Sequence, residues 1–391
     1  MTGPTKPRLK VAAELLTVAL VALAGLARGQ APEKGLSYQE AQNLEAHGRF
    51  DEAARAYRAL LEQDPNDPRV LNSLGVVLAR QSQYRQAIAV YQKALDLDRR
   101  RPQTQLNLGL AYFKMGDFGA AVAPLEQALA LSRGNLQART LLGMALYGAH
   151  RYREAATQLE KASREQPQNP ELLYVLAESY LWSGQYQRVI ETFARLERDN
   201  PSSAAAHMLM GEALDGLRRY SAAVQEFKAA AAISPQQPNV HFGLGYLYWK
   251  QREFDNAEPE FRLELKNDPN HALAEAYLGD VAMRKQESKE ARRLLEQALR
   301  SRRNLRLAFF DLGIINTQEK RYADAVSDFK EAIRADPSRS DAHYRLALAY
   351  QAMGRPQDAA AERRLVFRMQ QKTQQDLLHK ISGPPPAALV Q

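Results

Sequence analysis

The chain has 391 residues, 45% of them hydrophobic and 25% charged, an ordinary balance for a folded protein that excludes a disordered or collagen-like chain. It contains no cysteine, which excludes disulfides, a thiol nucleophile and a lipid-modified N-terminal cysteine. The net charge of +8 is too mild for the footprint of a nucleic-acid binder, and Lys6, Arg8, Lys10 and Arg28 set against Glu14 already supply +3 of it.

The first predicted element is an export signal. Lys6, Arg8 and Lys10 precede an apolar run from Leu15 to Ala27, and Arg28 and Gly29 follow. A basic start, a short apolar stretch and small residues describe a secretory signal peptide over residues 1–29. Cleavage is expected after Gly29, with Ala27 and Ala31 as the alternative sites. The apolar run is short for a membrane span, and an uncleaved N-terminal anchor is the alternative reading. Both readings export the rest of the chain, which is expected to be periplasmic or secreted. The Ala-, Leu- and Arg-rich composition points to a bacterial envelope.

From Lys34 to Thr373 the sequence repeats itself with a period of about 34 residues, giving ten units without insertion or deletion. A small residue recurs as Ala41, Gly75, Gly109, Gly143, Ala177, Gly211, Gly245, Gly279, Gly313 and Ala347. A second recurs as Ala53, Ala87, Ala121, Ala155, Val189, Ala223, Ala257, Ala291, Ala325 and Ala359. Between them a turn aromatic returns, for example as Phe50, Tyr84, Phe118, Tyr152 and Phe254, and Pro65, Pro167, Pro201, Pro235, Pro269 and Pro337 close units. Each unit reads as helix, short turn, helix, with the small residues where the two helices cross. One such hairpin cannot bury its apolar face alone, so each needs its neighbours. The pattern resembles the tetratricopeptide repeat family over nearly the whole mature chain. The resemblance implies an all-α fold, a right-handed α-solenoid or superhelix of tandem antiparallel helix pairs. In it the first helix of each pair lines a concave groove.

Within this frame the units differ in ways that carry expectations. Unit one opens with Ser37 and Glu40, the spacing of a capping box. Arg99 and Arg133 stand where proline usually closes a unit, predicting more continuous helix at those two joints. Pro124 and Pro259 fall inside second helices and predict bends. Unit eight, Ala272 to Leu305, has Ala282 and Ser288 where unit seven has Tyr248 and Phe254, and is expected to be the loosest internal unit. The domain plan is therefore a signal over 1–29, ten units over 30–373, and an extension over 374–391. In that extension the last helix runs on to about Ile381 as a polar cap, followed by a Pro-rich disordered tail.

The search for chemistry finds no glycine-rich phosphate loop, no His-Glu-x-x-His pair and no calcium loop. No enzyme activity, cofactor, metal or small-molecule substrate is expected. His207, His241 and His343 share one position in their units, and the first two stand in adjacent units. A lone imidazole pair roughly 10 Å apart lacks the third ligand of a metal site, so each is read as replacing a packing aromatic. Basic clusters at Arg99–Arg101, Arg300 to Arg306 and Arg363 to Lys372 are read as solvated faces. Membrane contact is expected only through the N-terminal segment or the last, basic helix.

The groove implied by the resemblance is the remaining candidate. Family positions that face a peptide ligand fall here on Tyr174, Glu178 and Trp182 of unit five and on Glu212 and Asp215 of unit six. They continue with Phe242, Tyr246 and Trp249 of unit seven and Asp280 of unit eight. Both tryptophans of the protein are in this set, and aromatics are favoured binding anchors. The alternative role of these rings is packing between units, and the interleaved acids favour a ligand with Lys or Arg. The basic clamp that part of the family uses for chaperone C-termini is missing, although Asn72 and Asn107 are present. The leading expectation is a non-enzymatic protein-interaction scaffold of the bacterial envelope. An accessory subunit of an envelope enzyme, acting on peptidoglycan or polysaccharide, is the alternative.

Overall fold

The computed structural model describes residues 37–199 and 202–382. The signal reading of residues 1–29 and the tail beyond Ser382 lie outside these residues. Among the described residues there are twenty α-helices and no strand, numbered here α1 (Tyr38–Ala46) and α2 (Phe50–Gln63) through α19 (Ser340–Ala352) and α20 (Pro356–Ser382). Odd-numbered helices open the repeat units and even-numbered ones close them. Within units one to five, and again within units six to ten, consecutive helices pack on one another as in an all-α repeat solenoid. The chain divides at Ser202/Ser203 into two compact halves, the first holding units one to five and the second units six to ten.

Each unit turns at one backbone position. Gly48, Ser82, Gly116, His150, Gly184, Arg218, Arg252, Gln286, Lys320 and Gly354 all have φ between 59° and 78°. This left-handed residue lets the next N–H reach back to the last turn of the helix, as Arg49 N–H does to the Leu44 carbonyl at 2.9 Å. Only four of the ten are glycine, so the geometry is imposed by the two helices as much as by the residue. Ser37 and Glu40 form the capping box at the start of α1.

The helix crossing explains the small residues. A Cβ placed on Gly143 would lie 2.6 Å from Leu159, and one on Gly211 or Gly313 would lie 2.6 Å from Phe227 or Phe329. Helix axes therefore approach until the large residue of the second helix lies against bare backbone of the first. These large residues form the core, with Tyr57, Tyr91, Phe261 and Phe329 fully buried.

Two joints differ from expectation. The chain does not run as helix through Arg99 or Arg133. One helix stops at Leu97 and the next begins at Pro102, while another stops at Leu131 and the next begins at Leu136. Asp98 is extended, and at the second joint the Asn135 side chain accepts the Ala138 N–H as an N-cap. At the second joint no proline is needed to break the helix, whereas at the first Pro102 opens the next helix behind an extended Arg101. Pro124 and Pro259 lie within 14-residue helices that neither of them ends.

Unit seven has a helix start of its own kind. Pro238 is followed by Asn239 in the left-handed conformation, so α13 (Val240–Lys250) has 11 residues where most first helices have 13. Its cap comes from the partner helix α14 (Phe254–Asn267). Glu264, 1% exposed, accepts the N–H groups of Asn239 at 2.9 Å and Phe242 at 3.1 Å. A buried carboxylate here satisfies two orphan donors and lies at the positive end of the helix dipole.

Unit eight, formed by α15 (Ala272–Arg284) and α16 (Ser288–Ser301), carries a different burden. Glu275 is fully buried and neither carboxylate oxygen has a hydrogen-bond partner among the described residues. At the same repeat position, units six, seven and ten have His207, His241 and His343, each bonded to a glutamate of its own second helix. An unmatched buried polar group costs on the order of 1–3 kcal/mol. Hydrogen exchange across residues 272–305 is therefore expected to be faster than across 204–237. Glu275→Leu should slow it and raise the melting temperature. Exchange equal in the two segments, or a destabilised variant, would contradict this account.

Candidate functional site

The residues assigned to the groove by resemblance divide between the two halves. In the first half, Tyr174, Glu178 and Trp182 lie on α9 (Pro170–Trp182). Glu178 is buried at 3% exposure and accepts the Tyr147 hydroxyl at 2.7 Å, so its charge is spent inside the fold. Burial and this carboxylate push the Tyr147 phenol up. Trp182 is half-buried and stacks on Tyr152, the turn aromatic of the preceding unit, at 6.1 Å. Tyr174 is half-buried on the same helix. Asn72 and Asn107 are bonded to each other at 3.2 Å.

The second half builds a larger site on α13. Phe242, Tyr246 and Trp249 recur at intervals of four and three residues and so share one face of the helix. Their rings are nearly parallel, with 6.1 Å between the first pair at 16° and 6.0 Å between the second at 12°. All three are half-buried, and the opposite face of the helix sends Val240, Leu244 and Leu247 into the core. The ladder is backed by Tyr277 of α15, whose ring lies 5.9 Å from Phe242, 5.3 Å from Tyr246 and 4.9 Å from Trp249. Edge-on contacts at 74° and 76° to the last two place ring edges against ring faces, a favourable quadrupole geometry. His271 closes the upper end, 5.0 Å from Phe242. Its Nδ1 accepts the Ala274 N–H, so its Nε2 carries the proton and donates to Asn239 Oδ1 at 2.9 Å.

The acids around this ladder are paired within the protein. Asp215, on α11 (Ala204–Gly216), binds Lys250 at 2.5 Å, and the Lys250 ammonium lies over the rings of Tyr220 and Tyr246. Asp280 is 1% exposed and accepts Trp249 Nε1–H at 2.5 Å and Arg284 Nε–H at 2.6 Å. Glu212 is half-buried on α11. The interleaved carboxylates are thus not a row of open charges for Lys or Arg of a ligand. Glu178, Asp215 and Asp280 all have partners in their own half.

Sequence reasoning missed Tyr277, Lys250 and Arg284, which hold the ladder in place. The signal was weak, because the position of Tyr277 is Gly243 in unit seven and Asp311 in unit nine. It also missed that His207, His241 and His343 each meet a glutamate 19 residues on, at 2.7, 2.7 and 2.6 Å. That recurring spacing was readable. The histidines are thus clips between paired helices, and no group of three or more His, Asp or Glu able to hold a metal is found among the described residues.

One carboxyl near the site stands apart. Asp311, on α17 (Arg306–Gln318), is 2% exposed and its Oδ2 has no hydrogen-bond partner among the described residues. Burial, and then the neighbouring Asp280 charge, push it well above the usual carboxylate range.

Models of the tetratricopeptide repeat match residues 38–103, 242–305 and 276–340, and a second such model matches 146–213 and 317–375. A further TPR repeat model matches residues 219–251, and one described as anaphase-promoting complex, cyclosome, subunit 3 matches 80–162. The chain belongs to the tetratricopeptide repeat family, whose repeats make protein–protein interaction scaffolds and are typically non-catalytic. No curated protein matches it in sequence. Among solved structures, a tetratricopeptide repeat protein from Parabacteroides merdae is 18% identical with a TM-score of 0.53, over 63% of this chain and 98% of that one. YrrB, described as a TPR protein with an unusual peptide-binding site, is 20% identical with a TM-score of 0.44, over 51% and 99%. The Cut9–Hcn1 hetero-tetramer matches at 13% identity and a TM-score of 0.47, over 84% and 85%. These likenesses are of fold.

Asp311 gives the site a pH signature. With its folded value raised, the proton it holds stabilises the fold fully below the unfolded carboxylate range, and that contribution is lost as pH rises through the raised value. Asp311→Asn should therefore melt higher than the parent protein at neutral pH, with the difference shrinking as pH falls toward about 4. A difference independent of pH would show that folding does not raise the Asp311 pKa.

Proposed function

We propose that this chain is a non-enzymatic scaffold of the bacterial envelope that holds an extended peptide or a partner helix against the first-helix face of its repeats. The observation that carries this reading is the aromatic ladder Phe242–Tyr246–Trp249, half-exposed on consecutive turns of α13 and fixed from behind by Tyr277. Rigid rings with few rotatable bonds lose little entropy when a ligand covers them. In the first half, Trp182 stacks on Tyr152, and Tyr174 lies on the same helix as Trp182. Because the acids beside the ladder are neutralised within the protein, recognition is expected to rest on apolar contact and on backbone groups of the ligand more than on charge. The basic, apolar N-terminal segment supports export, with the mature protein beginning near Gln30.

Peptides selected from a random displayed library on the purified mature chain test the ladder. Tyr246→Ala and Trp249→Ala should each weaken a selected peptide by about thirtyfold, or about 2 kcal/mol, with little dependence on salt. Melting is followed in parallel. Unchanged affinity in folded variants, or affinity governed by salt, would remove the ladder from the site. Export is checked separately by the intact mass of the native protein in its own cell fraction. A full-length, membrane-retained species would make the N-terminal segment an anchor.

A further inference from the structure

The end of the array leaves two things unmatched. The first is a face. In units seven, eight and nine, Leu265, Leu299 and Ile333 hold one repeat position on the second helix and are half-buried in core clusters with their neighbours. Unit ten places Phe367 there, and it is 60% exposed. Likewise Phe242 is covered by Tyr277 of the following unit and by His271, the cap of its first helix, whereas Tyr344, at the same position in unit ten, is 50% exposed. In units seven, eight and nine the element lying on this face is the first helix of the next unit. No such helix follows α19 and α20 among the described residues.

The second is a helix. α20 has 27 residues where the other second helices of this half have 14. The excess matches the length of a first helix such as α15, which has 13 residues. It does not fold back. α20 continues unbroken to Ser382, and residues 370–376 are all exposed. The sequence of this extension ends on the apolar residues Leu377, Leu378 and Ile381. A helical stretch of about this length is marginal in water without something to pack on.

We propose that a second copy of this chain covers the face, by a two-fold exchange in which the projecting part of each α20 lies on Tyr344 and Phe367 of the other. Among the described residues, one copy has one helix without a face and one face without a helix. A two-fold pair matches both, with nothing left over, because each contact is repeated in reverse. The straight course of α20 keeps the extension off its own face and makes the match intermolecular. The interface is modest, since the exposed stretch 370–376 of the extension is polar, with four glutamines, Lys372, Thr373 and Asp376, so a dimer in the micromolar range is expected. The ladder on α13 is not part of this contact.

Sedimentation of the full mature chain over a concentration series up to about 100 μM tests it. The parent protein should dimerise. Phe367→Glu, which spoils the face, and Gln375→Pro, which breaks the extension, should each raise the dissociation constant at least tenfold while melting as the parent does. Mixed together, the two variants should form a heterodimer of intermediate strength, since the good extension of the first still meets the good face of the second. A parent protein that stays monomeric, or a dimer indifferent to both substitutions, overturns the proposal. So does a failure of the mixture to associate more strongly than either variant alone. A monomer that binds another envelope protein through Phe367 would assign the face to that protein and equally overturn the exchange.

Discussion

The structure depends on the contact between bare backbone on one helix and a large side chain on the next. Phe227 shows it twice over, lying against Gly211 of its own unit and Gly243 of the following one. Each glycine removes the Cβ that would hold the helices apart, and the ring fills the space gained. The recurrence of this contact gives every unit the same crossing. The recurrence of the left-handed turn residue then gives every unit the same return path. Together they bring first helices side by side on one surface within each half. Residues four and three apart on α13 can then form a continuous aromatic face.

Polar chemistry inside the array is handled locally, with differing success from unit to unit. Glu264 caps the helix beside it, and the three histidines meet glutamates across their own helix pairs. Asp280 is satisfied by an indole and a guanidinium. Glu275 and Asp311 are not satisfied in this way, and both lie beside or within unit eight. The aromatic ladder of unit seven is thus backed by a unit that holds one unmatched buried carboxyl, Glu275, and adjoins another, Asp311.

The fold is legible because its signals repeat. A single period, carried by Gly143, Gly211 or Gly313 and by the alanines opposite them, over-determines the helix pairs. The joints at Arg99 and Arg133 are misread when a closing proline is treated as the only agent of the break, because Pro102 opening the next helix serves at the first and the Asn135 cap at the second. At the site, the rings of α13 are legible from their spacing. The state of the acids is not, because Lys250, Arg284 and Tyr277 reach them from positions that look ordinary in their own helices. A carboxylate read as open charge can be neutralised by a cation 35 residues away, as Asp215 is by Lys250, and no local pattern announces the pairing.

That separation of 35 residues is also about as far as any described side-chain hydrogen bond reaches along the chain. The bonds join a unit to itself or to the next, whatever the length of the whole. Loop-closure entropy therefore stays small and constant as units are added, and folding is governed by local search. A chain of this kind can fold each pair of helices as it is synthesised, without waiting for distant residues. The same locality removes any need for a covalent staple between remote segments, in keeping with a sequence that contains no cysteine.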